Sequence, residues 1–190
     1  MSGLNVALFL WINATPASPA WVVPFARFAT MRLPEWMIVG LVAAFLVGDV
    51  RVQRHVWRVA IALVTGWVLA RLGQHFFPMP RPFALGLGTA WMVHADSAGF
   101  PSNHASVAFA FAFAVATCTR RRILAAAALV MASLIAWSRI SLGLHFPVDV
   151  LAGAVVGGAS AWLAGRLPLQ RLNGLLAKRV VQVPPTSRAE

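Results

Sequence analysis

Acidic residues are scarce: five Asp and Glu stand against sixteen Lys and Arg in 190 residues. Charged residues of both signs reach only 11%, whereas an ordinary soluble domain carries about a quarter. A soluble globular domain is thereby excluded. The single Cys118 cannot close an internal disulfide and reads as a small apolar filler. Tyrosine is absent, yet there are eight Trp. Trp11, Trp21, Trp36, Trp91 and Trp137 fall near one set of expected span ends, as an interfacial belt would, and Trp67 reads as core packing. No Lys or Arg precedes the apolar stretch 4–12, and prolines crowd Ala17-Ser18-Pro19-Ala20, which argues against a cleaved signal peptide. The net charge of +11 would suggest nucleic acid in a soluble protein. Here the cations sit in short clusters between apolar runs, which is a membrane-topology pattern and gives no nucleic-acid partner.

What is present is apolar: 59% of the residues. The fold class expected is an all-α polytopic membrane bundle with five clear spans, a sixth irregular one being the alternative. Residues 4–31 read as two short interfacial helices, because Pro16, Pro19 and Pro24 interrupt them. The spans then run over about 35–49, 59–77, 104–118, 124–137 and 147–165. Gly48 and Asp49 close the first, and Arg51, Arg54, His55 and Arg58 form a basic loop after it. Gly153 and Gly157 are spaced for close helix contact. Residues 1–166 make one domain, and 167–190 a basic tail ending in a polar PPTSRAE segment. Residues 168–180 read either as an amphipathic surface helix or as a solvated tail.

The cations orient the bundle. The segments 51–58 and 120–122 and the tail lie on one side and hold eleven of the sixteen. By the positive-inside rule that side is cytoplasmic. The 78–103 connection and the 138–146 loop then share the outer face, and Arg81, Ser102, His104, Arg139 and His145 converge there by topology alone.

Phe100-Pro101-Ser102-Asn103-His104-Ala105-Ser106 is a polar knot opening an apolar run. Pro101 suits a helix edge, and Ser102 and Asn103 are expected to cap the first turn. A helix N-terminus favours anions through its free N–H groups and its dipole. His145 and Asp149 are four apart at the start of the fifth span, so the carboxylate is expected to accept a hydrogen bond from one ring nitrogen and fix the other as a lone pair. The forks of Arg81 and Arg139 match phosphate oxygens. His104 can protonate a leaving oxygen. A lone Arg at a span end is normally a headgroup anchor and a lone interfacial His a satisfied polar group. An Asp inside a span is harder to dismiss.

Arg81-Pro82, Pro101-Ser102-Asn103-His104, and Ser138-Arg139 followed by His145 and Asp149 resemble the three split motifs of the type-2 phosphatidic acid phosphatase superfamily. The resemblance spans about residues 74–149. It implies a helical membrane enzyme that removes phosphate from lipids with no metal or other cofactor. It makes His145 the nucleophile of a phosphohistidine, Asp149 its orienting group and His104 the general acid. Arg81, Ser102, Arg139 and Asn103 then bind phosphate, with Pro82 and Ser138 as further candidates. Gln74 stands where the family usually has Lys, and Arg71 or His75 are the candidates to replace that cation. Asn103 stands where the family usually has Gly, which the capping geometry and positive φ open to Asn tolerate.

The finer resemblance, through His94-Ala95-Asp96 and chain length, is to small bacterial undecaprenyl-diphosphate phosphatases of the bacitracin-resistance type. It implies a polyprenyl diphosphate substrate, membrane lipids as neighbours, and an active site outside the inner membrane. His94 and Asp96 either contact the diphosphate or shape their loop. Phosphatidylglycerophosphate, phosphatidate and lipid A are the competing substrates. A lipid phosphotransferase is a further reading. A lipid transporter or scaffold with a decayed site is the non-enzyme one. A soluble vanadate-type peroxidase is disfavoured by the spans and by Gln74.

Overall fold

A computed structural model describes residues 3–95 and 97–168. Asp96, the 169–190 part of the tail and the expected surface helix lie outside the described residues. Six α-helices follow in order: α1 Gly3–Ile12, α2 Val22–Val47, α3 Val50–Phe76, α4 Asn103–Cys118, α5 Arg122–Ser141 and α6 Pro147–Arg166. There is no strand among the described residues, so the all-helical expectation is met. Helices α2, α3, α5 and α6 are each long and apolar enough to cross a membrane. Their outer faces expose large apolar side chains, Val39, Leu46, Val64, Leu151 and Val155 among them, all above 60%. A water-soluble surface does not carry such a belt, and a lipid-facing one does.

Two boundaries differ from the sequence reading. Helix α2 begins at Val22 and not near residue 35. Pro24 lies in its first turn, where the lost N–H has no partner to miss, and Pro34 is carried inside the helix. The second interfacial helix and the first span are thus one element. Trp36 therefore sits ~20 Å along α2 from Trp21, away from the belt. Trp21 and Trp137 do meet at one end, through Phe25. The segment 51–58 is the first turns of α3 and not a loop. Asp49 caps it, accepting from Val52 N at 2.8 Å, and nothing in 50–58 breaks a helix.

Helix α4 is the central element, packed against α3, α5 and α6. Ala105, Ala108, Ala110, Ala112 and Ala114 are buried on it, and small side chains let neighbouring backbones approach closely. The contact with α6 is the tightest: a Cβ built on Gly157 would stand 2.6 Å from Ala110 N, and one on Gly153 2.9 Å from Ser102 O. The glycine spacing expected to seat two helices does so. Helices α2 to α6 alternate in direction, with short turns at 48–49, 119–121 and 142–146, so the long 77–102 connection and the 142–146 loop lie at one end with the start of α2. There α1 is wedged in. Phe9 is fully buried against Phe146, and Asn13 donates to Thr89 O and Ser141 O, both at 3.0 Å, while accepting from Thr89 N.

Candidate active site

The 78–103 connection and the α5–α6 corner bring Arg81, Ser102, Arg139, His145 and Asp149 together, all at most 3% exposed. Several contacts hold Arg81, the following among them. Its Nε donates to Ser97 O at 2.8 Å. Its Nη1 reaches Leu144 O at 3.1 Å and His145 Nε2 at 2.9 Å. Its Nη2 reaches Ser97 Oγ and Ala98 O. A guanidinium only donates, so Nε2 of His145 is the accepting nitrogen and the ring proton sits on Nδ1. Nδ1 faces Asp149 Oδ2 at 3.4 Å. That is ion-pair reach without hydrogen-bond alignment. The expected direct bond is loosened because Asp149 Oδ2 also accepts from Phe146 N at 2.9 Å, closing the first turn of α6. His145 lies in the corner between the helices, and burial first, then Arg81 and Arg139, holds its pKa well below the ordinary value.

Arg139 is anchored differently. Its Nη1 donates to Thr30 Oγ1 of α2 at 2.8 Å, while Nε and Nη2 are buried without partners. Its carbonyl accepts from Leu144 N and His145 N, which fixes the backbone of His145 to that of the arginine. Ser102 N donates to Asp149 O at 2.9 Å, joining the knot to α6. The expected Ser102 cap is not made: its Oγ is fully buried and unpartnered, and Asn103 Oδ1 is likewise unpartnered. Asn103 is the first residue of α4 and takes no positive φ. The first-turn N–H groups, Ser102 Oγ and three Arg139 hydrogens thus form a set of donors, with one carboxylate beside two guanidiniums among the described residues. Such a set suits an anion.

His104 projects from the same turn into an apolar groove of about 220 Å³ lined by Pro34, Met37, Leu63, Phe111 and Ile135. Gln74 donates to Pro101 O at 3.1 Å and accepts from Arg71 at 3.4 Å. It holds the knot's backbone, and Arg71, three residues earlier on α3, is exposed. His75 is exposed and packs on Phe76. Ser138 is buried but its hydroxyl donates to Ile135 O at 2.6 Å, so it does not face the donors. Pro82 starts the 3₁₀ turn Phe83–Leu85. His94 is half-buried, bonded to Ala95 O at 3.0 Å, and burial pushes its pKa down. Among the described residues no three His, Cys, Asp or Glu stand close enough to hold a metal ion. Thr30, Ser97 and Asn13 were not singled out from the sequence. A hydroxyl in the apolar stretch of α2 was the one signal for Thr30.

The chain is similar to known proteins. The chain is 36% identical over 180 residues to the Escherichia coli K12 protein described as "Putative undecaprenyl-diphosphatase YbjG", covering 95% of this chain and 90% of that one. It is 34% identical over 116 residues to undecaprenyl-diphosphatase BcrC of Bacillus subtilis, covering 61% of this chain and 59% of that one. The crystal structure of Aquifex aeolicus LpxE superposes with a TM-score of 0.71 at 25% identity, over 87% of this chain and 97% of that chain. The superfamily pattern matches residues 55–172, which take in most of α3 and all of α4 to α6, and the chain belongs to the PAP2 superfamily.

Proposed function

We propose that this multi-pass membrane protein hydrolyses undecaprenyl diphosphate to undecaprenyl phosphate and inorganic phosphate, with the site on the outer side of the membrane and the C-terminus cytoplasmic. The observation that carries the chemistry is the buried file Arg81–His145–Asp149 beside the unpartnered donors of Arg139 and Ser102. His145 Nε2 attacks the terminal phosphorus. The bond to the bridging oxygen breaks, and undecaprenyl phosphate leaves with a proton from His104. Asp149 stabilises the imidazolium that forms. Arg139, Ser102 and the α4 N-terminus hold the phosphoryl oxygens as charge develops. Water then attacks the phosphohistidine, His104 taking its proton, and phosphate is released.

The substrate reading rests on the likeness to YbjG and BcrC. The apolar groove beginning at His104 supports it, since a tail leaving the reaction centre meets Met37, Leu63 and Phe111. The test is phosphate release by purified protein from undecaprenyl diphosphate, phosphatidylglycerophosphate, phosphatidate and lipid A. Preference for the prenyl diphosphate is expected, together with loss of at least ~10³-fold in His145→Ala. Release surviving His145→Ala overturns the mechanism; equal turnover of all four lipids overturns the substrate.

A further inference from the structure

The first turns of α3 lie ~35 Å from Gln74 along the helix, at the far end of the bundle from the catalytic cluster. Arg51, Arg54, His55 and Arg58 recur there at i, i+3, i+4 and i+7, on one helical face. These four side chains alone line a cavity of about 340 Å³. The grouping is electrostatically costly in isolation. Like charges at these spacings repel, and cations at a helix N-terminus oppose its dipole. Among the described residues one acid, Asp49, stands near enough to offset part of the charge of Arg51 and Arg54, and no carboxylate is in ion-pair contact with any of the three arginines. Asp49 spends its carboxylate on the helix cap. Arg58 Nε is buried with no partner, and Arg54 Nε reaches only Val50 O at 3.3 Å. Topology alone asks for scattered positive charge here, not for a cavity walled by it.

The second feature adjoins the first. A cleft of about 440 Å³ shares His55 with the basic cavity and runs between α2, α3 and the α4–α5 turn, past Leu41, Val56, Val59, Val115 and Leu124, with Arg121 at its edge. Arg58 also reaches Cys118 at the end of α4, on the same cleft. A basic cavity opening into an apolar cleft fits an anion that carries a hydrocarbon chain.

We propose that this end of the bundle binds an anionic phospholipid, its phosphate among Arg51, Arg54, His55 and Arg58 and one acyl chain in the cleft between α2, α3 and the α4–α5 turn. The lipid is a ligand separate from any substrate of the catalytic cluster, and this assignment does not depend on the phosphatase reading. It compensates the repulsion within α3 and bridges α2, α3 and α5.

The experiment measures binding of phosphatidylglycerol, phosphatidylcholine and inorganic phosphate to the full chain in detergent, by native mass spectrometry and thermal shift, in a His145→Ala background. Phosphatidylglycerol is expected to bind and raise Tm, phosphatidylcholine to do neither. Arg54→Gln with Arg58→Gln is expected to weaken phosphatidylglycerol binding roughly thirtyfold, about five- to sixfold for each cation lost. Leu124→Trp, which fills the cleft and leaves every cation, is expected to weaken it about tenfold. It serves as the readout should the double variant fail to fold. Phosphatidylglycerol affinity unchanged in both variants overturns the proposal. Inorganic phosphate binding as tightly as the lipid overturns the lipid as occupant.

Discussion

Thr30→Val asks whether a residue outside all three motif segments sets the geometry of a phosphate-binding arginine. Thr30 Oγ1 accepts from Arg139 Nη1 at 2.8 Å, with both residues at most 4% exposed. Valine keeps the volume and removes the acceptor. A hydrogen bond from a charged donor is worth about 1.5–3 kcal/mol, and a buried donor left unmet costs a similar amount. If the guanidinium is correctly aimed only while Thr30 holds it, that free energy is lost from the transition state. At about 1.4 kcal/mol per tenfold, kcat/KM should fall roughly 10- to 100-fold. Thr30→Ser keeps the oxygen and should stay within about threefold. The decisive assay is a double-mutant cycle with Arg139→Ala on phosphate release. Coupling of about 1.5–3 kcal/mol is expected, and additivity within about 0.5 kcal/mol refutes the reasoning.

Gly157→Ala forces a methyl within 2.6 Å of Ala110 N; overpacking of this kind costs about 1–3 kcal/mol, and Tm should drop by about 2–4 °C for each. Gln74→Leu removes the donor on Pro101 O and should lower kcat/KM about fivefold, while exposed Arg71→Ala should lower it less; the reverse order would make Arg71 the replacement cation. His145 has a lowered folded-state pKa, so the unfolded chain binds more protons as pH falls through about 6.5 and the stability linked to this ring is lost there. Wild-type Tm should therefore decline from about pH 7 to pH 5 more steeply than that of His145→Gln, and parallel curves would refute the assignment.

The parts of the fold legible in the sequence were those carried by spacing. The apolar runs gave α3 to α6 within a few residues, apart from the start of α3, because lipid leaves helices as the economical spanning element. The convergence of Arg81, Ser102, Arg139, His145 and Asp149 followed from alternating direction, which needs only the number of crossings. The boundaries of α2 and α3 were hidden for local reasons. Proline punctuates a chain in general, yet Pro24 sits where its missing N–H costs nothing, and charge at 51–58 resembles a loop until Asp49 is recognised as a cap. Ser138 was a candidate site residue through its place in the Ser138-Arg139 motif, but its hydroxyl back-bonds within the helix. Thr30–Arg139 spans 109 residues, and no local pattern reports a contact that distant.

The bond between Arg81 and His145 Nε2 bears on when the enzyme becomes reactive. On the proposed mechanism the lone pair that attacks is held by a guanidinium hydrogen until a phosphate competes for it. Substrate arrival is then its own trigger, and an empty site offers stray electrophiles a masked imidazole instead of an open one.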